Sequence, residues 1–165
     1  MEIMKTYPMG NEGRVWKAAR MTKGLYNKAN FLIMQEFLNN KRIVSESEIN
    51  NLLKDDNLYK ALPLDTAKLV LKILLDKWNR YYESWKLWKA GKLQREPRSP
   101  RFRKKNGLWV VPFEGHQVKQ EGRILNFPLL GDFVLPEEVT GNIKKASFVP
   151  SREGFLLQLR VQIPT

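Results

Sequence analysis

The chain has 165 residues, 42% of them hydrophobic and five of them Trp, enough to bury a core in one domain or two small modules, so wholesale disorder is excluded. It has no Cys, which excludes a disulfide framework and thiolate metal sites and suits a reducing compartment. The net charge of +12 is unevenly spread: residues 61–107 carry 13 Lys or Arg against 4 Asp or Glu, residues 1–60 carry 10 against 7, and residues 108–165 carry 6 against 6. Cations packed that densely repel one another, so a polyanionic partner is their natural counterpart, with a merely solvated face as the alternative.

The first residues, Met1, Glu2, Ile3, Met4 and Lys5, lack an apolar run of signal-peptide length, and no apolar stretch approaches ~20 residues. A soluble, cytoplasmic protein with no membrane partner is expected. Residues 3–8 read as a short edge strand, ended by Pro8 and the loop residues Gly10, Asn11 and Gly13. A helix is predicted over residues 14–39, because Val15, Ala18, Ala19, Tyr26, Ala29, Leu32, Ile33 and Phe37 fall at helical spacing. Gly24 inside it costs about 1 kcal/mol relative to Ala, which predicts a bend or a close helix contact there. Asn39 and Asn40 end it.

Ser45, Glu46, Ser47 and Glu48 make a capping box that opens a short helix through Ile49, Leu52 and Leu53, closed by Asp55, Asp56 and Asn57. Pro63 suits the first turn of a long helix, where its missing N–H costs nothing. Along that helix Leu64, Ala67, Leu71, Leu74, Trp78, Tyr81, Trp85 and Trp88 recur at steps of three and four, forming one apolar stripe about 27 residues or ~40 Å long. After Gly107 the pattern changes to β: residues 109–113, 124–127 and 133–135 are short β-type runs between Gly, Pro or Asp. Phe155, Leu157, Leu159, Val161 and Ile163 alternate with other residues as in a half-buried strand, which pairs with residues 144–149 as a hairpin closed by residues 150–154. The expected fold class is α+β, with a helical bundle inserted into, and packed beside, a small antiparallel sheet or β-barrel.

Catalytic chemistry finds little material. A metal-dependent nuclease needs convergent carboxylates, but the 17 acids are scattered, and the pairs Asp55/Asp56 and Glu137/Glu138 read as loop residues. His116 is the only histidine; it reads as a surface turn residue with no Cys, acid cluster or nucleophilic Ser motif beside it. No Gly-rich nucleotide loop is present. The expectation is a binding protein, with no catalytic residue, metal or cofactor.

The binding signal lies in residues 85–105. Lys86, Lys89, Lys92, Arg95, Arg98, Arg101, Arg103, Lys104 and Lys105 stand there against Glu96 alone, interleaved with Trp85, Trp88 and Phe102. Cations neutralise phosphates and release counterions, while aromatic faces stack on exposed bases. Pro97, Pro100 and Gly107 keep the tail from continuing as helix, so it is expected as an extended arm along a nucleic-acid backbone. Trp78, Trp85 and Trp88 also fit as core knobs on the helix stripe, the reading their spacing favours, and Trp85 and Trp88 are kept as stacking candidates as well.

Six motifs in this order resemble the N-terminal half of the OrfB/TnpB proteins of insertion sequences, relatives of type V CRISPR effectors. Tyr7 and Pro8 resemble the end of that family's first strand. Leu25, Tyr26, Asn27, Lys28 and Ala29 resemble its helix-one signature, and Leu62 and Pro63 before the long helix resemble the next. Pro100, Arg101, Phe102, Arg103, Lys104 and Lys105 resemble its Pro-Arg-Phe-Lys block. Phe127, Pro128, Leu129, Leu130, Gly131, Asp132 and Phe133 resemble its Leu-Pro-Lys-Leu-Gly turn, and residues 143–161 resemble its last hairpin before the nuclease.

The resemblance implies a wedge-type, oligonucleotide-binding-like β-barrel (strand 1–9 and module 108–165) with a helical recognition domain at 10–107. It also implies a guide RNA and a double-stranded DNA target as partners, in a prokaryotic, nucleoid-associated setting. Thr66, Lys68 and Lys72 resemble positions that face the motif-bearing duplex. The family's RuvC-like nuclease and zinc ribbon have no counterpart in this sequence, so a non-catalytic recognition module is expected, alone or as half of a split effector with a RuvC-type partner chain. Two alternatives stay open: a transposon-derived DNA-binding protein that acts without RNA, and a helical protein-interaction module.

Overall fold

A computed structural model describes residues 1–164, and among them the chain forms four α-helices and seven strands in two antiparallel sheets. The α+β class expected from the sequence is therefore present. The strands form two sheets rather than one closed ring of hydrogen bonds. Strands β1 (Glu2–Gly10), β7 (Gly154–Gln162), β6 (Asn142–Ser151) and β2 (Val111–Glu114) lie side by side in that order. Strands β3 (Lys119–Glu121), β4 (Ile124–Phe127) and β5 (Gly131–Val134) make the second sheet. Aromatic side chains fill the space they share: Phe113, Phe127, Phe133 and Phe148 meet with centroids 4.9–6.3 Å apart, at angles from tilted to edge-on.

The hairpin of β6 and β7 keeps the expected alternation, with Phe155, Leu157, Leu159 and Val161 buried on one face. Its turn is tighter than residues 150–154, since Ser151 pairs with Gly154 around Arg152 and Glu153. Pro8 lies within β1 rather than ending it, which an edge strand tolerates because one side has no ladder to donate to. The strand expected from Trp109 begins at Val111.

Helix α1 (Gly13–Asn40) crosses from one core to the other. Val15, Ala18 and Ala19 join the β core, whereas Leu25, Tyr26, Ala29, Ile33 and Phe37 belong to a second, helical core. Arg14 fastens the crossing: its guanidinium donates to the carbonyls of Leu130 and Asp132, both at 3.0 Å, and lies 4.1 Å from the Phe133 ring centroid. Gly24 makes the close helix contact expected of it. A Cβ there would meet Leu58 Cδ1 at 2.6 Å, on α3 (Asn57–Ala61), a short helix that is not among the predicted elements. Helix α2 (Glu46–Leu53) carries the predicted capping box, with Ser45 Oγ accepting from the Glu48 amide at 3.1 Å. Asp56, expected to close α2, instead caps α3 through the Leu58 and Tyr59 amides.

Helix α4 (Leu64–Lys89) is the predicted long helix, with Pro63 as its N-cap. Its stripe buries Ala67, Leu71, Leu74 and Trp78, but Leu64 at its start is 55% exposed, as is Leu52 on α2 at 61%. Neither joins the helical core. No helix of the described residues is long and apolar enough to cross a membrane.

Candidate nucleic-acid interface

Between α4 and β2 the chain runs without helix or strand from Ala90 to Val110, and its second half lies along α1 as a strap. An irregular segment must find partners for its peptide groups, and here α1 side chains supply them. Asn30 Nδ2 donates to the Pro100 carbonyl at 3.2 Å, and the Tyr26 hydroxyl donates to the Arg101 carbonyl at 3.3 Å. Asn27 holds Arg103 from both sides, accepting from its amide at 2.8 Å and donating to its carbonyl at 3.0 Å. Lys23 Nζ reaches the Lys105 carbonyl at 2.6 Å, and the Trp109 amide donates to the Ala19 carbonyl at 3.2 Å. Positions 19, 23, 26, 27 and 30 form one face of α1, so the strap runs antiparallel to the helix.

Asn30 is fully buried and joins this face to the helical core, because its Oδ1 accepts from Trp78 Nε1 at 2.7 Å. The main chain of the strap is thus fixed by side chains of α1, mostly neutral ones with Lys23 added, while its own cations are left without carboxylate partners among the described residues. Arg101, Arg103, Lys104 and Lys105 are all exposed. Among the described residues, the only ion pair made by the nine cations of residues 85–105 is that of Lys86 with Glu83, at 3.0 Å.

Two grooves flank the strap and share Lys77 and Pro100 as lining residues. The larger, about 520 Å³, is lined by Tyr26, Lys77, residues 100–104, Gly107 and Leu108. The smaller, about 320 Å³, adds Arg80, Tyr81, Ser84, Pro97 and Arg98. Neither lining contains a carboxylate. Tyr26 and Trp109 pack with centroids 4.7 Å apart, and two cations lie over the pair. Lys77 Nζ is 5.3 and 5.5 Å from the two ring centroids, and the Arg103 guanidinium carbon is 5.4 and 5.9 Å from them. Burial lowers the Lys77 ammonium below its ordinary pKa, with Arg103 and Arg80 adding to the shift. Burial raises the Tyr26 hydroxyl, while Arg103 pulls it the other way.

The remaining candidates lie apart from these grooves. Trp85 is half-buried, edge-on to Phe37 at 5.2 Å and stacked on Tyr82 at 5.9 Å, so it belongs chiefly to the aromatic end of the helical core. Trp88 is half-buried under Lys89, whose Nζ is 5.5 Å from its ring centroid. Lys86 covers Tyr82 at 5.0 Å. Lys92 and Arg95 are exposed beyond the helix end, whereas Arg98 reaches the smaller groove. Phe102 is 46% exposed on the larger groove, whereas Trp109 at the end of the strap is buried.

Thr66 does not present itself to solvent. It is fully buried, and its hydroxyl accepts from Gln117 Nε2 at 3.3 Å, so α4 docks there on the β module. Lys68 and Lys72 are exposed and line a third groove of about 300 Å³ with Glu46, Asp65, Glu114 and His116. His116, expected as an isolated surface turn residue, is exposed in the 3-10 turn Gly115–Gln117 but meets Asp65 Oδ2 at 2.7 Å. The groove of Lys68 and Lys72 shares no lining residue with the two grooves beside the strap. Glu137 binds the Tyr7 hydroxyl at 2.9 Å and approaches Lys5 at 3.9 Å. No group of three or more metal-ligating side chains converges among the described residues.

The sequence reading missed Lys77, Arg80 and the α1 face that holds the strap. Asn27 and Asn30 carried a signal, since Asn is a poor helix former and two of them sit inside a long helix with no cap to make. Comparison with protein-family models and with curated proteins finds no match to this chain.

Proposed function

We propose that the chain is a non-catalytic nucleic-acid-binding module that holds a guide RNA along its cationic strap and helps recognise double-stranded DNA beside a short motif. One observation carries the binding part: the strap's main chain is tied to α1 while its cations remain exposed and unpaired among the described residues. A fold that merely needed solubility would gain nothing from immobilising such a segment, whereas a backbone reader needs its cations at fixed spacing. The resemblance to OrfB/TnpB proteins supplies the rest. In it the two sheets correspond to a wedge-type barrel, the helices to a recognition domain, and the groove of Lys68 and Lys72 to a surface that faces the motif-bearing duplex. The module acts alone or with a separate RuvC-type nuclease chain.

Copurification tests this. The protein, expressed in its host with flanking genomic DNA, is expected to carry a discrete small RNA, and that RNA is expected to confer binding to a matching DNA duplex. A preparation without small RNA, and without affinity for RNA in vitro, overturns the guided reading. A footprint on duplex DNA in the absence of RNA replaces it with direct DNA binding, and salt-insensitive capture of a protein replaces it with an interaction module.

A further inference from the structure

Lys77 occupies an unusual position. It lies between the two basic grooves, half-buried, with its ammonium over the Tyr26 and Trp109 rings and no ion pair among the described residues. Arg103 shares the same ring pair, and Arg80 lines the adjoining groove with it. The folded chain thus gathers three cations around grooves whose linings contain no carboxylate, and their mutual repulsion is relieved when an anion enters. That points to a phosphate. The same groove is not uniformly polar, however. Phe102 presents an exposed aromatic face to it, with Leu108 beside it, and a volume of about 520 Å³ falls within the range of small-ligand sites. A bare phosphate has no use for that surface, but a nucleobase does.

We infer that the larger groove is a subsite for one unpaired nucleotide, with its phosphate on Lys77 and Arg103 and its base against Phe102. This rests on the proposed nucleic-acid binding and adds to it a preference for an extruded or single-stranded nucleotide at one defined place. A base inside a continuous duplex keeps both faces stacked on its neighbours and cannot offer one to Phe102. The exposed cations of the strap accept phosphates from either kind of strand, so they give affinity without this preference.

The test uses the full chain and three labelled RNA probes of matched length: a single strand, a perfect duplex, and a duplex carrying a one-nucleotide bulge. Phe102→Ala is expected to weaken the single strand and the bulged duplex about tenfold, within the range measured for loss of one stacked base, and to leave the perfect duplex unchanged. Lys77→Met keeps the stem on the rings, removes the charge, and is expected to weaken the same two probes. Equal effects of Phe102→Ala on all three probes, or none on any, overturn the subsite while leaving strap binding standing. Failure of the unaltered protein to bind any probe overturns the proposed function as well. Competition separates a nucleotide site from a phosphate site: uridine monophosphate is expected to displace the bulged duplex better than inorganic phosphate, and equal displacement overturns the base contact. Thermal melting of both variants checks folding, and Phe102, being nearly half exposed, is the substitution least able to perturb it.

Discussion

The two halves of this molecule use aromatic residues and charge in opposite ways. In the β module Phe113, Phe127, Phe133 and Phe148 all lie inside, and residues 108–165 carry balanced charge. In the helical part the aromatics continue past the core: Trp78 is buried, Trp85 and Trp88 are half-buried, and Phe102 is half exposed. Both halves build ordinary cores, so the difference cannot be a requirement of folding. Charge accumulates on the segment that Asn27, Asn30, Tyr26 and Lys23 of α1 hold still, and that segment is the phosphate-binding element of the proposed function.

Breaking the core side of this contrast gives the largest effect. Trp78→Ala removes a fully buried ring and leaves Asn30 Oδ1 without its donor, so it should cost about 3–5 kcal/mol, read from chemical denaturation midpoints. Trp88→Ala, at the half-buried end of the same stripe, should cost less than about 1 kcal/mol. Similar losses for the two would mean that the aromatic stripe is core throughout. Asn27→Ala removes two hydrogen bonds to the Arg103 peptide groups and should cost about 1–2 kcal/mol. Hydrogen exchange at the Arg103 amide should accelerate well beyond what global unfolding explains, while the β6–β7 ladder stays protected.

Lys77→Met should act in the opposite direction, raising stability by about 0.5–1 kcal/mol in the absence of nucleic acid. The sign follows from proton binding. Burial, then Arg103 and Arg80, hold Lys77 below its ordinary value of 10.5 in the folded chain, so between the two values the unfolded chain binds more protons. Stability from this group is therefore lowest at neutral pH and rises as pH climbs through the folded value toward 10.5, a rise the Met variant should lack. The smallest effect belongs to α2. Arg42, and then the Ser45 amide, hold Glu48 down to about 2, so its contribution is present above its ordinary 4.5 and lost as pH falls through about 2. Amide-exchange protection of α2 should fade over that acid range before the rest of the chain responds.

Much of this was legible beforehand because it rests on periodicity and caps. The stripe of α4, the capping box of Ser45 and Glu48, the β6–β7 alternation and the extended basic tail are each local patterns with one physical solution. What escaped depends on packing between distant segments. Strand β3 is exposed along its length and only three residues long, so it has no alternation to read, and five-residue α3 is shorter than any reliable helical period. Thr66 was named from the resemblance alone, and its burial depends on packing against the β module, where Gln117, 51 residues later, donates to its hydroxyl. Lys77 and Arg80 carry no local signal, because the grooves they line exist only where the strap, some twenty residues on, returns beside α4.

The most direct test is the salt dependence of single-stranded RNA affinity, with Arg101, Arg103, Lys104 and Lys105 all replaced by Gln in a second protein. The strap is held through its main chain, so the variant should remain folded, losing only the Arg103 contact with the Tyr26 and Trp109 rings, and a melting curve checks this. If about half of the nine cations touch phosphates, log affinity of the native chain should fall with log salt at a slope of about −3 to −4, and the variant's slope should be shallower by about 0.7 for each phosphate it no longer neutralises. Parallel lines of equal affinity would contradict the assignment of the strap as the phosphate-binding element.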